Sequence, residues 1–351
     1  MDYTNLDPQT AKAHYKRGNA KYDANDYAGA IADYNKAIEL DPKYAYAYDN
    51  RGSAKYLLND CAGAIEDYNK AIELDPQYPN AYICRASARY DLNDYAGAIA
   101  DYNKALELDP QNTGAYFARG NAKYNLKDYA GAITDYDKAI KLAPQDKVYY
   151  NNRGNAKKDL KDYVGAIADY DKAIELDPKN KVYYYNRGIS KKNLGDYAGA
   201  IADYNKVIEL DPEYARAYNS RGFFKYNLKD YEGAIADYDK AIELDPQDAD
   251  TYDNRGVAKE NLGDYAGALA DYNKAIELDP QYADAYNNRG IVKKNLGDYA
   301  DALADYNKAI ELFPQYTRVY DNLIELYEAL NQPALAEEIR RLKQKNCPDN
   351  Q

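Results

Sequence analysis

An all-α solenoid of stacked antiparallel helix pairs is the fold that three features of the sequence predict. Proline recurs at Pro42, Pro76, Pro110, Pro144, Pro178, Pro212, Pro246, Pro280 and Pro314, a spacing of 34 residues without insertion or deletion. A period of that length marks a repeat array rather than a few ordinary globular domains. Aspartate recurs in the same register, at Asp26, Asp60, Asp94, Asp128, Asp162, Asp196, Asp230, Asp264 and Asp298. Between each such aspartate and its proline, apolar residues return every three to four positions, as at Ala200, Ile201, Tyr204, Val207 and Ile208.

Each element has a local cause. Units begin at Ala11, Ala45, Pro79, Thr113, Lys147, Lys181, Ala215, Ala249 and Ala283. In the ninth, residues 284–295 read as a first helix, Gly297-Asp298 as a turn and residues 299–312 as a second helix. The aspartate accepts hydrogen bonds from the orphan amides that open the second helix. Proline then keeps that helix from running on. The apolar stripe of one helix pair has nothing to cover it, so pairs must stack on their neighbours.

Residues 11–316 thus hold nine tandem units, and residues 317–346 read as a degenerate tenth with helices over 320–330 and 333–345. Its last helix keeps Leu335, Ile339 and Leu342 on one face and turns Glu337, Arg340, Arg341 and Lys345 outward, which suits a solubilising cap. Residues 1–10 form a lead in which Leu6-Asp7-Pro8 matches the close of a unit, predicting a chain taken from a longer array. Residues 347–351 are a tail.

Composition narrows the class. Charged residues at 30% and hydrophobic ones at 46% are too apolar for disorder and too interrupted for a membrane span. Forty-three tyrosines beside four phenylalanines and no tryptophan is the bias left by copying one short unit. A net charge of −12 argues against the broad basic face that nucleic acid requires. The polar, acidic start lacks the pattern of a secretory leader, so a cytoplasmic setting is expected. Cys61, Cys84 and Cys347 are too few and irregular for a disulfide framework or a zinc site.

The pattern Tyr286, Gly290, Tyr299, Ala302, Tyr306, Ala309 and Pro314 resembles the tetratricopeptide motif residue by residue, and it recurs with small changes in all nine units. The resemblance implies a right-handed superhelix, with first helices lining a concave groove and second helices forming the convex back. It also implies a role in binding proteins or peptides.

Two features depart from the family pattern. Arginine, from Arg17 to Arg289, stands where the family usually has leucine, and lysine or Arg89 follows four residues later. Aspartate, from Asp33 to Asp305, precedes the second-helix tyrosine of every unit. Charges at such sites persist when paired, so these columns read as a structural ion-pair ladder. Gly29 and its counterparts to Gly267 sit early in the second helix, where glycine costs about 1 kcal/mol against alanine. Close approach of helices is the expected reason.

Nothing points to catalysis. The single histidine, His14, occupies a column filled elsewhere by Tyr48, Tyr82, Tyr116 and Tyr150, and so reads as a packing residue. No metalloprotease, phosphate-loop or dinucleotide motif occurs, and the Asp-Pro pairs are helix ends. The chain is expected to have no catalytic residue, cofactor or metal.

Variation between units carries the functional information. The lysine column from Lys36 to Lys308 on the second helix never changes. On the first helix, the second, fifth, ninth and twelfth residues share one face, and the fifth and ninth columns have diverged. Tyr22, Tyr56, Tyr90 and Tyr124 make an aromatic stripe, with Phe117 beside it. Lys158, Lys192 and Arg216 then bring positive charge beside Asn151, Asn155, Tyr185, Asn186, Ile189, Asn219, Phe223 and Tyr226. Asp250, Asp253, Glu260 and Asp284 make the following rows acidic, interrupted by Lys294.

Units five to seven are therefore the expected peptide site, with a preference for an acidic partner. Some relatives hold the acidic tails of heat-shock chaperones in a clamp of two lysines, two asparagines and an arginine. Here Asn155, Asn186 and Arg216 match it, Arg216 replacing a lysine, while Asn151 and Ser220 stand at the other two positions. That clamp is incomplete. The leading expectation is a protein-interaction scaffold; the alternatives are a self-associating structural module and a regulatory or substrate-recruiting arm of a larger enzyme.

Overall fold

The computed structural model describes residues 10–347, which form twenty α-helices and no strand. The lead at 1–9, with its Leu6-Asp7-Pro8 match, and the tail beyond Cys347 lie outside the described residues. The chain divides into two compact units, Met1–Pro178 and Lys179–Gln351. In the first, α1 (Ala11–Asp23) pairs with α2 (Tyr27–Leu40), α3 (Ala45–Leu57) with α4 (Cys61–Leu74), and α5 (Pro79–Asp91) with α6 (Tyr95–Leu108). Then α7 (Thr113–Asn125) pairs with α8 (Tyr129–Leu142) and α9 (Lys147–Asp159) with α10 (Tyr163–Leu176).

The second unit repeats the scheme. Its first three pairs are α11 (Lys181–Asn193) with α12 (Tyr197–Leu210), α13 (Ala215–Asn227) with α14 (Tyr231–Leu244), and α15 (Ala249–Asn261) with α16 (Tyr265–Leu278). Two more follow, α17 (Ala283–Asn295) with α18 (Tyr299–Leu312) and α19 (Thr317–Ala329) with α20 (Pro333–Asn346).

The aspartates cap the second helices: Asp26 accepts from the Gly29 amide at 2.9 Å, and the contact recurs down the array. The same cap explains the early glycine, and corrects the expectation of close helix approach. A Cβ on Gly29 would lie 2.1 Å from Asp26 Oδ2. Asp301 takes this position in α18, and its amide is held by Asp298 at 3.4 Å. Close approach instead sets the glycine of the first helix, since a Cβ on Gly290 would meet the Tyr306 ring at 2.8 Å. The residue before the capping aspartate adopts a left-handed conformation, φ 61° at Asn25, 62° at Lys127 and 79° at Gly195.

The core is built of alanine and tyrosine. Ala30, Tyr34 and Ala54 form one buried cluster, Ala64, Tyr68 and Ala88 the next, and Ala132, Tyr136 and Ala156 another. Between the paired helices lies the ion-pair ladder. Arg51 meets Asp67 through Nε at 2.8 Å and through a second guanidinium nitrogen at 2.5 Å, and Lys55 Nζ reaches the same carboxylate at 2.8 Å. Equivalent triads run to Arg289, Asp305 and Lys293. Each arginine also lies over the tyrosine three residues earlier, 5.3 Å for Arg51 over Tyr48. His14, in that tyrosine column, instead contacts Arg17 at 3.0 Å. Asp33 is held far below the usual carboxylate range, first by its bond to Arg17.

The ladder also bridges consecutive pairs. The remaining guanidinium nitrogen of Arg51, Arg85, Arg119 and Arg153 donates at 2.6–2.7 Å to Asn35, Asn69, Asn103 and Asp137 of the preceding pair. In the second unit Arg221, Arg255 and Arg289 do the same with Asn205, Asp239 and Asn273.

The tenth pair drops the triad whole, placing Leu323, Ile339 and Tyr327 where arginine, aspartate and lysine stood. One expectation for α20 needs correction. Ala336 is buried and Ile339 half-buried against α19, whereas Leu335 and Leu342 stay exposed and Arg340 folds back onto Glu328. The 3.6-residue period places 336, 339, 340 and 343 inward, and Lys343 pairs with Asp321 at 2.6 Å on that side.

Candidate peptide-binding surface

First helices lie side by side from α1 to α9 and from α13 to α19, and α11 and α13 line one recess, so their shared face is a row of side chains. In the first unit the twelfth column supplies Tyr22, Tyr56, Tyr90 and Tyr124, all half-buried. Their hydroxyls are tied to the next pair: Tyr56 and Tyr124 donate to Asp91 and Asp159, and Tyr90 accepts from Asn125 at 2.6 Å. Tyr22, Tyr90 and Tyr124 stack edge-on against Tyr27, Tyr95 and Tyr129, at 5.4, 5.3 and 5.3 Å. The stripe is therefore part of the fold as well as of the surface.

Beside it, Tyr90, Asn121, Tyr124, Asn125, Asn152 and Asn155 line a recess of about 230 Å³. Asn155 accepts from the core hydroxyl of Tyr170 at 2.8 Å, and Asn151 donates to Asn152 at 3.1 Å. Phe117 is half-buried, packing on Tyr149 at 4.8 Å and Tyr136 at 5.9 Å. Lys158 does not present a free charge, since Asp159 lies 3.4 Å from its amine.

In the second unit, Tyr185, Ile189, Lys192, Asn219, Phe223 and Asn254 line a larger recess of about 350 Å³. Tyr185 stands edge-on to Tyr204 and Tyr214, both at 5.5 Å, which fixes one wall. Phe223 is held edge-on against buried Phe224 at 5.3 Å, and Lys192 Nζ sits 4.7 Å from its ring centre. Neither Lys192 nor Arg216 has an acidic partner within 4.0 Å among the described residues, and both are exposed. Arg216 shares a face of α13 with Asn219 and Phe223. Asn186 lies one turn before Ser190, whose hydroxyl donates to its backbone carbonyl at 3.2 Å. Tyr226 accepts from Asn261 at 3.2 Å.

The acidic rows beyond are partly buried. Asp253 is 6% exposed and its carboxyl is pushed up to about 7, chiefly by burial, with Asn288 donating to it at 3.1 Å. Glu260 is raised in the same way. Lys294, which seemed to interrupt this region, is paired with Glu325 at 3.2 Å.

Sequence reasoning named Asn186 and Ser220 of the sixth column but missed what the column does. Asn50, Asn254 and Asn288 each donate across a joint, to Asn19 at 2.9 Å, Asn219 at 3.2 Å and Asp253. It also missed a coupling in the ninth column: Asn19, Asn121 and Asn155 accept from Tyr34, Tyr136 and Tyr170, a bond absent where Ile189, Phe223, Val257 and Ile291 stand. Both were present as column identities, but only the neighbour across the joint gives them meaning.

A family model described as TPR repeat matches residues 18–59, 52–92, 86–127, 191–229, 225–263 and 261–297. The chain belongs to the tetratricopeptide repeat family. Further tetratricopeptide repeat models match 114–146, 148–180, 169–202 and 283–316. No curated protein sequence matches the chain.

Among solved structures, the C-terminal part of a TPR repeat-containing protein from Cytophaga hutchinsonii is 21% identical with a TM-score of 0.61, covering 68% of this chain and 98% of that one. A tetratricopeptide repeat protein from Parabacteroides merdae is 21% identical at 0.52, covering 71% and 99%. Yeast Tom70 is 19% identical at 0.50, covering 96% and 92%. These likenesses establish the TPR fold. Family membership supports a protein-interaction scaffold in general terms, on a fold that is typically non-catalytic. No described helix is long and apolar enough to cross a membrane.

Proposed function

We propose that this chain is a cytoplasmic scaffold that grips a peptide on its first-helix face, and that the recess of the second unit takes an acidic side chain next to an apolar one. The observation that carries this reading is the exposed cation Lys192 in a recess walled by Tyr185, Ile189 and Phe223, with Arg216 on the α13 face that carries Asn219 and Phe223. Fixed aromatics supply contact area at little entropic cost, and Asn219 and Asn254 supply amides for a peptide backbone. The net charge of −12 favours a protein partner over nucleic acid.

Panning a random peptide library against the whole chain tests the proposal. Enrichment of sequences with Asp or Glu beside a large apolar residue is expected; Lys192→Glu should reduce the selection for Asp or Glu, and Phe223→Ala the selection for the apolar residue. No enrichment, or the same enrichment on both variants, would overturn it.

A further inference from the structure

The recess of the first unit has a hydrogen-bonding character of its own. Tyr90, Asn121, Tyr124 and Asn155 form part of its lining, and a neighbouring recess of about 190 Å³, lined in part by Tyr56 and Asp91, shares Tyr90 and Asn121 with it. Buried phenols fix the two amides. Tyr136 and Tyr170 are 1% and 0% exposed and donate to Asn121 and Asn155, both at 2.8 Å, so each amide oxygen faces the core. Asn121 Oδ1 accepts from Asn152 as well, at 3.1 Å, which fills both of its lone pairs. The amide nitrogens of Asn121 and Asn155 have no partner among the described residues and are not buried. Tyr90 accepts from Asn125 at 2.6 Å, which leaves its own proton to donate.

The site thus offers donors and aromatic faces to a ligand that brings acceptors. Asp91, the one charge lining either recess among the described residues, and Asp159, bonded to Tyr124, disfavour an anion. An ordinary peptide residue brings an N–H with each carbonyl, and that N–H would be stranded against these amides. Proline brings the carbonyl alone, with a ring to pack on tyrosine. We propose that the first-unit recesses bind an uncharged, proline-rich segment in the polyproline II conformation. Its carbonyls accept from Asn121, Asn155 and Tyr90, and its rings pack on Tyr90 and Tyr124. The spacing agrees: α3, α5 and α7 touch in turn, which sets such axes about 8–10 Å apart, and polyproline II advances about 9 Å per turn. Successive tyrosines of the stripe therefore meet successive turns of the ligand. The second-unit recess has Ile189 and Phe223 in the column of these asparagines, and the proline site does not depend on it.

The probe is a capped decaproline, titrated into the whole chain by calorimetry. Binding is expected with the same affinity at low and high salt, because no charge is neutralised. Asn155→Asp keeps the oxygen that Tyr170 needs and turns the donor into an acceptor, which should weaken binding at least about tenfold. Asn155→Ile places in this column the residue that stands at Ile189 and should weaken it as much, with circular dichroism showing that both variants keep the fold. Phe223→Ala should leave the affinity unchanged, and a capped glycine–serine decapeptide should not bind. No binding at millimolar decaproline, wild-type affinity in both Asn155 variants, or a loss confined to Phe223→Ala would overturn the proposal. So would binding of a neutral oligosaccharide such as maltoheptaose in place of decaproline.

Discussion

Arg289 and Asp305 form a bidentate ion pair, Nε to Oδ2 at 2.9 Å and the terminal nitrogen to Oδ1 at 2.5 Å, and 34 residues later both partners are apolar together, as Leu323 and Ile339. The chain thus contains two solutions to one packing problem. Desolvating such a pair offsets much of its attraction, so replacing it whole is often nearly neutral, whereas removing one partner strands a buried charge.

Arg289→Leu alone should therefore cost about 3–5 kcal/mol, by leaving Asp305, which is 4% exposed, with Lys293 only. The triple change Arg289→Leu, Lys293→Tyr, Asp305→Ile copies the tenth pair and should recover most of that loss. Amide exchange in α17 and α18 measures both. A triple variant as unstable as the single one would mean that the apolar set works only beside α20.

The ninth column makes a second prediction. Tyr34 donates to Asn19 at 2.9 Å, whereas the buried hydroxyl of Tyr306 has no partner among the described residues, Ile291 standing where the asparagine would be. Tyr34→Phe should cost about 0.5–1.5 kcal/mol, and Tyr306→Phe should be neutral or stabilising by about 1 kcal/mol. Thermal unfolding of the two variants should thus move in different directions from wild type.

A third concerns pH. Asp49 is 1% exposed, Tyr78 donates to its Oδ2 at 3.0 Å, Oδ1 has no partner among the described residues, and burial pushes its carboxyl up to about 6. Unfolded aspartate titrates near about 3.9. The folded form therefore binds the proton more tightly, so this stability is fully present below about pH 4 and lost as pH rises through 6. Asp49→Asn should flatten the profile between those limits and stabilise α3 by about 1–3 kcal/mol at pH 7. Exchange rates in α3 at pH 4, 5, 6 and 7 give the slope. The same carboxylate acts on its neighbour: burial of Cys84 first, then the Asp49 charge, push the thiol up to about 12, leaving it protonated at neutral pH.

The helix pairs, the capping aspartates and the arginine–aspartate ladder were legible because each repeats at one period, and the period restricts what a column can do. Individual surface residues were harder to read. Lys158 and Lys294 look like free cations in a column, yet Asp159, the next residue in the chain, and Glu325, one unit on, answer them, and comparing columns alone exposes neither partner. Phe117 reads as a groove aromatic by position, and its half-buried ring also packs on Tyr136 and Tyr149, a contact that the column alone does not show. The early glycine of the second helix reads as a helix-packing residue in the sequence, because the clash of a Cβ with Asp26 exists only in three dimensions.

The central claim is that the second-unit recess binds an acidic, apolar peptide, and calorimetry at two salt concentrations on a peptide recovered by panning tests it most directly. Exposed ion pairs contribute only about 0.2–1 kcal/mol each, so Lys192 and Arg216 should chiefly set partner choice and salt dependence, while burial against Phe223 supplies affinity. Reversing both cations to glutamate should weaken binding about tenfold or more and flatten the salt dependence. Phe223→Ala should weaken it with the salt slope kept, and Lys158→Glu should have little effect. Affinity and salt slope unchanged in the Lys192, Arg216 and Phe223 variants would contradict the account and move the site elsewhere on the chain.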